Sequence, residues 1–269
     1  MSKRVFVTGG GSGLGRALAL RYAKAGYRVA IGDINEARLQ EVSDELAALT
    51  SESLSFKCDT TRISDLENVR SKMTEAWGGL DIVINNAGIA GASGFIEDLS
   101  LKSWQTLIDV NVLGVVRGCK VFVPLLKDQR SGSVINIASS AALMTPPLMS
   151  AYTVSKASVL GLSETLRYEL SPFGIDVHCV CPGYFKTNLT ESLESNGAAM
   201  ADFVTRVMER SPITSEDIAE QVFQLQESKD FLLIPHQNER KLWRLKRWLP
   251  KWFEKKAKQT AQLMVEKLS

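Results

Sequence analysis

The chain has 269 residues, 45% of them hydrophobic and 23% charged, a length and balance that exclude low-complexity, collagen-like and disordered classes and allow a substantial core. The net charge of +2 hides an asymmetry: residues 236–269 carry ten Lys/Arg against three Glu, which leaves 22 basic and 27 acidic residues in 1–235. The body is mildly acidic and the tail is basic, so the tail needs its own account.

The four cysteines, Cys58, Cys119, Cys179 and Cys181, form no Cys-x-x-Cys pair and no Cys/His cluster. They read as reduced core thiols, with no metal site. The opening "MSKRVFVTGG" starts a strand by residue 4, which leaves no room for a signal peptide. No apolar run approaches the roughly 20 residues of a membrane span. A soluble, cytoplasmic protein is the expectation.

In chain order, short apolar runs occur at 4–9, 28–33, 53–59, 80–88, 133–139, 175–183 and 230–235. Several are apolar at consecutive positions, as in strands buried on both faces. Between them, 12–25, 35–49, 62–77, 101–129, 151–171 and 215–228 carry apolar residues at helical spacing. Ser64 followed by Glu67 suggests a capping box. This alternation predicts an α/β fold, a doubly wound parallel sheet of about seven strands with helices on both faces. Ligands of such sheets sit at the carboxyl ends of the strands.

The first strand ends in "VTGGGSGLGRALA", which matches Thr-Gly-x-x-x-Gly-x-Gly with Gly9, Gly13 and Gly15. It is neither the ordinary dinucleotide pattern nor a triphosphate loop. Residues without Cβ allow a tight turn and close backbone approach to a pyrophosphate, and the helix start supplies free N–H groups. The second strand ends at Asp33, 18 residues past Gly15, where a carboxylate accepts from both ribose hydroxyls and repels a 2′-phosphate. Its neighbours Ser12 and Ile34 are not basic, which favours NAD over NADP; Arg16 and Arg38 are the residues able to reverse that preference. A helix N-cap is the structural alternative for Asp33.

Further strand ends bring "NNAG" (Asn85–Gly88), "NIAS" (Asn136–Ser139) and "CPGYFKT" (Cys181–Thr187); "DVNVLG" places Asn111 in the fourth helical segment, and "SAYTVSKA" holds Tyr152 and Lys156 four apart. Five motifs in this order resemble the short-chain dehydrogenase/reductase family in its compact single-domain form, over residues 4–235. The resemblance implies a Rossmann-type fold and a catalytic set of Asn111, Ser139, Tyr152 and Lys156. Tyr152 would be the general acid/base, Lys156 would assist it and hold the nicotinamide ribose, Ser139 would bind the substrate oxygen, and Asn111 would position a relay water. The turn residues Gly9, Ser12, Gly13, Leu14 and Gly15, together with Asp33 and Ile34, would hold the adenosine and pyrophosphate. Asp59 and Thr60 would approach the adenine. Asn86, Ala87 and Gly88 would line the cleft, and Pro182, Gly183 and Thr187 would meet the nicotinamide end. The Tyr–Lys separation of four, where enoyl thioester reductases of the family typically have seven, favours alcohol/ketone chemistry.

The apolar segment 141–150 and the stretch 188–210 should flank the substrate, the latter as two short helices broken at 195–197 that form a lid. Their Leu, Met and Pro content points to an apolar substrate, a steroid-like, retinoid-like or long-chain alcohol or ketone. The last strand lacks the Asp-Gly-Gly ending of many members, which argues against their tetramer; the resemblance implies a homodimer through the helices carrying Asn111 and Tyr152. Residues 1–235 then form the catalytic domain and 236–269 a basic, amphipathic, helical extension. Pro250 should divide this extension into a helix to about 248 and a second from Pro250. Three roles compete for it: packing on the body or a dimer mate, peripheral membrane contact through 240–258, and nucleic-acid binding, which no motif supports. The other readings of the whole chain are an NADP-dependent carbonyl reductase and a non-catalytic dinucleotide-binding or membrane-surface protein on the same fold.

Overall fold

In the computed structural model, which describes residues 2–195 and 206–268, seven parallel strands run in the order β3-β2-β1-β4-β6-β7-β9. They are β1 (Arg4–Thr8), β2 (Arg28–Asp33), β3 (Ser53–Lys57), β4 (Ile82–Asn85), β6 (Gly132–Ile137), β7 (Ile175–Val180) and β9 (Leu232–Leu233). Their consecutive apolar residues divide by parity. Val5, Val7, Val29, Ile31, Ile82 and Ile84 face one core, and Phe6, Ala30, Val83 and Val134 face the other. Burial on both faces removes any need for polar alternation.

On the first face lie α1 (Gly13–Lys24), α2 (Glu36–Ala47) and α8 (Ser215–Ser228), which bury Leu18, Tyr22, Leu46 and Val222. On the second lie α3 (Ile63–Trp77), α5 (Gly114–Gln129) and α7 (Ser150–Leu170), which bury Leu66, Met73, Phe122 and Val159. The order reverses between β1 and β4, and the crevice above those two strand ends is where such sheets hold ligands. This is the doubly wound sheet that the alternation predicts, in the Rossmann-type arrangement that the resemblance implies.

Several local expectations change. Ser64 is not a cap: α3 starts after Arg62, and the Asp65 carboxylate instead accepts from the Asp59 N–H at 3.0 Å, drawing the helix start toward the strand end. The segment 101–129 is α4 (Leu101–Ile108), a wide π-type turn over Asp109–Leu113, and then α5. Of the two helices expected over 188–210, the first is a 3₁₀ turn at Asn188–Ser192 followed by β8 (Leu193–Ser195), which pairs with β5 (Gly91–Ser93). The pairing binds this segment to the loop after β4, which a helix could not do. Most of the second expected helix, with Met200, Phe203 and Val204, lies outside the described residues.

The extension forms α9 (Gln237–Trp248) and α10 (Pro250–Leu268), divided at Pro250 as the sequence suggests. On α9, Trp243 packs on the second core. Arg240 donates to the Ile234 carbonyl at 3.1 and 2.7 Å. Lys246 donates to the Leu143 carbonyl at 2.7 Å, at the end of α6 (Ala141–Met144).

Arg4 and Asp81 fasten β1 to the start of β4: Asp81 accepts from the Arg4 backbone N–H (2.7 Å) and from its Nε and Nη2 (2.8 and 2.9 Å). Burial would push the Asp81 carboxyl up, but these Arg4 bonds outweigh it and hold it below the usual carboxylate range. Its stabilisation is present above the unfolded carboxylate value and is lost as the pH falls through the depressed one. Asp81→Asn is therefore expected to cost about 1–2 kcal/mol, a few degrees of Tm, at neutral pH. Calorimetry should show the gap closing on acidification.

Candidate active site

A cleft of about 630 Å³ opens at the carboxyl ends of the strands. Every predicted cofactor residue lines it: Gly9, Ser12, Gly13, Leu14, Gly15, Asp33, Ile34, Asp59, Thr60, Asn86, Ala87, Gly88, Tyr152, Lys156, Pro182, Gly183 and Thr187. At one end, the turn between β1 and α1 is compact because Gly15 sits on the Gly9 carbonyl oxygen, where a Cβ would collide. Asn86 locks this turn to the end of β4, donating to the Thr8 and Gly9 carbonyls at 2.9 and 3.2 Å. The Thr8 hydroxyl in turn accepts from the N–H groups of Asn86 and Ala87, both at 3.0 Å. Ser12 caps α1 by backbone position only, with no side-chain hydrogen bond, so the first amides of the helix are left to a ligand.

Asp33 is not a helix cap; Asn35 is, accepting from the Arg38 N–H at 3.1 Å. The two Asp33 oxygens each accept one backbone N–H, from Gly11 and Asn35, both at 2.9 Å. Each keeps acceptor capacity toward the cleft. The two arginines able to attract a 2′-phosphate are each paired with a glutamate, Arg38 while lining the cleft itself. Arg16 forms a forked pair with Glu45 at 2.9 and 2.6 Å, and Arg38 bonds Glu191 at 2.6 Å. On the adenine side, Asp59 accepts from the Thr61 N–H and hydroxyl at 2.9 and 2.7 Å, and Arg117 donates to the Thr60 carbonyl at 3.3 Å. Thr187 faces the glycine turn: a Cβ on Gly13 would lie 3.5 Å from the Thr187 Cβ. Uncapped helix amides, a glycine cradle and a half-satisfied carboxylate together fit a dinucleotide.

At the other end, Tyr152 and Lys156 occupy successive turns of α7 on one face. Lys156 is buried, its Nζ 5.9 Å from the centre of the Tyr152 ring and 3.1 Å from the Ile137 carbonyl oxygen, to which it donates. Burial lowers the Lys156 ammonium to about 8 and pushes the Tyr152 phenol up to about 12, the latter shift eased by a hydrogen bond with Ser139. Asn111 lies outside the cleft lining, fully buried behind it in the π-type turn. Its amide pairs with Ile89 in both directions (2.8 and 2.9 Å) and donates to the Ser155 hydroxyl at 3.1 Å. A Cβ on Gly88 would come within 3.1 Å of Asn111 Oδ1 and 3.3 Å of Lys156 Nζ, so both polar atoms crowd one glycine. All four members of the predicted catalytic set are thus adjacent.

Residues 3–198 match the model of the short chain dehydrogenase family, and the protein belongs to that family of oxidoreductases. It is 34% identical over 193 residues to D-beta-hydroxybutyrate dehydrogenase of Rhizobium meliloti (strain 1021), covering 71% of this chain and 74% of that protein. It is also 34% identical over 193 residues to cyclohexanol dehydrogenase of Acinetobacter sp. (strain SE19), covering 72% and 77%. A solved short chain dehydrogenase/reductase of Burkholderia phymatum, in complex with NAD, superimposes with a TM-score of 0.86 at 28% identity, covering 91% of this chain and 93% of that one. One from Sphingobium yanoikuyae, in complex with NADPH, superimposes at 0.74 and 26% identity, covering 87% and 88%. Solved relatives thus hold either nicotinamide nucleotide.

The sequence reading missed the part that α9 plays in this cleft. Glu239 and Leu242 line its wall, and Glu239 Oε1 would lie 2.6 Å from a Cβ on Gly183. His236, buried just before α9, accepts from the Gly183 N–H at Nδ1 (3.0 Å) and meets the Tyr184 carbonyl at Nε2 (3.0 Å). Nδ1 must be the unprotonated nitrogen, so Nε2 carries the hydrogen and donates it to Tyr184. A histidine directly after a strand-end proline, "IPH", was the available signal, but nothing local says what it bonds. His236→Ala frees the Gly183–Tyr184 loop. It is expected to lower kcat/KM about tenfold and, because the Gly183 N–H and the Tyr184 carbonyl lose their buried partner, Tm by a few degrees. His236→Asn, which keeps an acceptor for Gly183, should recover part of that loss in steady-state kinetics.

Proposed function

We propose that the protein is an NAD-dependent oxidoreductase that interconverts a hydroxyl and a carbonyl on an apolar small molecule. The observation that carries this reading is the juxtaposition of Tyr152, Lys156, Ser139 and Asn111 beside a cleft suited to a dinucleotide. The glycine turn and the first amides of α1 would hold the pyrophosphate, Asp33 the adenosine ribose, and Lys156 the nicotinamide ribose. The bound nucleotide supplies the two-electron chemistry.

The chain's own part is geometry and proton transfer. Ser139 donates to the substrate oxygen and holds charge that develops there. Tyr152 takes the hydroxyl proton in oxidation and returns it in reduction. Burial, only partly eased by Ser139, leaves the phenol at about 12, too high for a base, so it needs positive charge beside it in the closed cleft. Lys156, poised at about 8, contributes that charge and exchanges protons near neutrality. Asn111 orders the Ile89 backbone and would place the relay water beside Lys156.

For the substrate, Met144, Pro146, Met149, Met208 and Leu242 make the far wall largely apolar. Thr145 and Leu148 hold left-handed backbone (φ 50° and 61°) around Pro146–Pro147, strain of the kind kept where a wall must have one shape. A cyclic or long-chain secondary alcohol fits this wall, and the similarity to a cyclohexanol dehydrogenase supports the same class. On this reading, residues 1–235 are the catalytic unit with a lid at about 188–210, and 236–269 an appended helical extension. A homodimer through α5 and α7 would cover the exposed Leu113, Val116 and Val154.

Titration with NADH and NADPH, followed by nicotinamide fluorescence, tests the cofactor. NADH should bind at least about tenfold more tightly. Asp33→Asn should narrow the gap, and tighter NADPH binding would overturn the preference. Tyr152→Phe should lower the oxidation rate by about 10²–10⁴ while leaving NADH affinity intact. In the wild type, oxidation of a secondary alcohol should rise with pH as the phenolate fraction grows, and ketone reduction should fall.

A further inference from the structure

We propose that α9 and α10 form a docking surface for an anionic membrane, placed beside the mouth of the cleft. The inner face of α9 is already used: Trp243 packs on the core, Arg240 holds the Ile234 carbonyl, and Lys246 braces the Leu143 carbonyl. Its outer face continues into the start of α10 as an apolar ridge. There Trp248 is 82% exposed, Leu249 52% and Trp252 45%. Around the ridge stand Lys241, Arg244, Arg247, Lys251, Lys255 and Lys256, exposed with no carboxylate partner among the described residues. The helix α10, about 28 Å long, makes its main packing contacts among the described residues with α9, and the ridge side chains stay exposed there.

The charge identifies the occupant. An extension carrying ten basic residues against three Glu, on a body with 22 basic and 27 acidic residues, is attracted to an anionic sheet of headgroups. Two exposed tryptophans among lysines and arginines match the headgroup boundary, where the indole ring buries its apolar part and keeps its N–H wet. The contact is peripheral, because no helix among the described residues is long and apolar enough to cross a bilayer. Leu242 joins the two surfaces: it lines the cleft and is itself 40% exposed on α9. Docking would therefore bring the cleft mouth to the lipid, where apolar alcohols and ketones concentrate. The docking itself does not depend on the proposed activity.

The test uses the full-length protein and sedimentation with vesicles of phosphatidylcholine, with and without phosphatidylglycerol. Binding is expected only to the phosphatidylglycerol vesicles, with a blue shift of tryptophan emission and release by about 0.5 M NaCl. Trp248→Ala/Trp252→Ala and, separately, Lys251→Glu/Lys255→Glu should each weaken binding at least about tenfold while NADH binding and Tm stay unchanged. Failure to sediment, equal binding to phosphatidylcholine alone, or double variants that bind like the wild type would overturn the proposal. So would light scattering in which the wild type, unbound by vesicles, is an oligomer that the tryptophan variant dissociates; the ridge would then belong to a second copy. Loss of NADH binding in the wild type would sink the enzymatic reading and leave the vesicle result standing.

Discussion

The ends of β1 and β4 are held together by one small hydrogen-bonded knot, and the cleft depends on it. Thr8 accepts two backbone N–H groups from Asn86 and Ala87, while Asn86 returns two bonds to the Thr8 and Gly9 carbonyls. This extends the pairing of β1 and β4 past their carboxyl ends, where the strand order reverses and the connections leave to opposite faces of the sheet. It leaves room above for a glycine turn only because Gly15 lets α1 start directly against the Gly9 carbonyl. The uncapped helix amides and the Asp33 carboxylate take their places from that knot.

A second set of constraints forms the reacting end. The π-type turn at Asp109–Leu113 sets Asn111 inside the protein, where its amide reads the backbone of Ile89 as a strand neighbour would. Such turns cost helix regularity and are kept where a side chain must point inward. The same burial raises the Tyr152 phenol and lowers the Lys156 ammonium. These shifts keep the phenol protonated at neutral pH unless positive charge is brought beside it.

The extension ties the two ends of the molecule's function together. His236 and Arg240 fasten the start of α9 to the strand ends, Lys246 fastens its last turn to α6, and Glu239 and Leu242 become part of the cleft wall. Its basic, tryptophan-bearing outer face is left to solvent. One helix therefore shapes the cleft wall from inside while presenting a different surface outside, an economy available to an amphipathic helix with 3.6 residues per turn.

Much of this was legible in the chain. The consecutive apolar strand positions, the helical spacing, the break at Pro250 and the glycine turn with Asp33 follow from local pattern, because a buried parallel strand and a glycine turn each impose a composition of their own, whereas Asp59, Thr60, residues 86–88 and residues 182–187 were expected at the cleft from the family resemblance. The family motifs identify candidate roles for Asn111, Ser139, Tyr152 and Lys156 but not the interactions that hold them. Tertiary structure alone decided that Asp65, not Ser64, orders the start of α3, and that β8 pairs with β5 where a helix was expected. It alone engaged Arg16 and Arg38 with Glu45 and Glu191, and set His236 against Gly183. All but the first of these join residues distant in the chain, and a hydrogen bond across such a gap leaves no periodicity in the sequence. It exists only once the sheet has brought the two segments within 3 Å or so of each other.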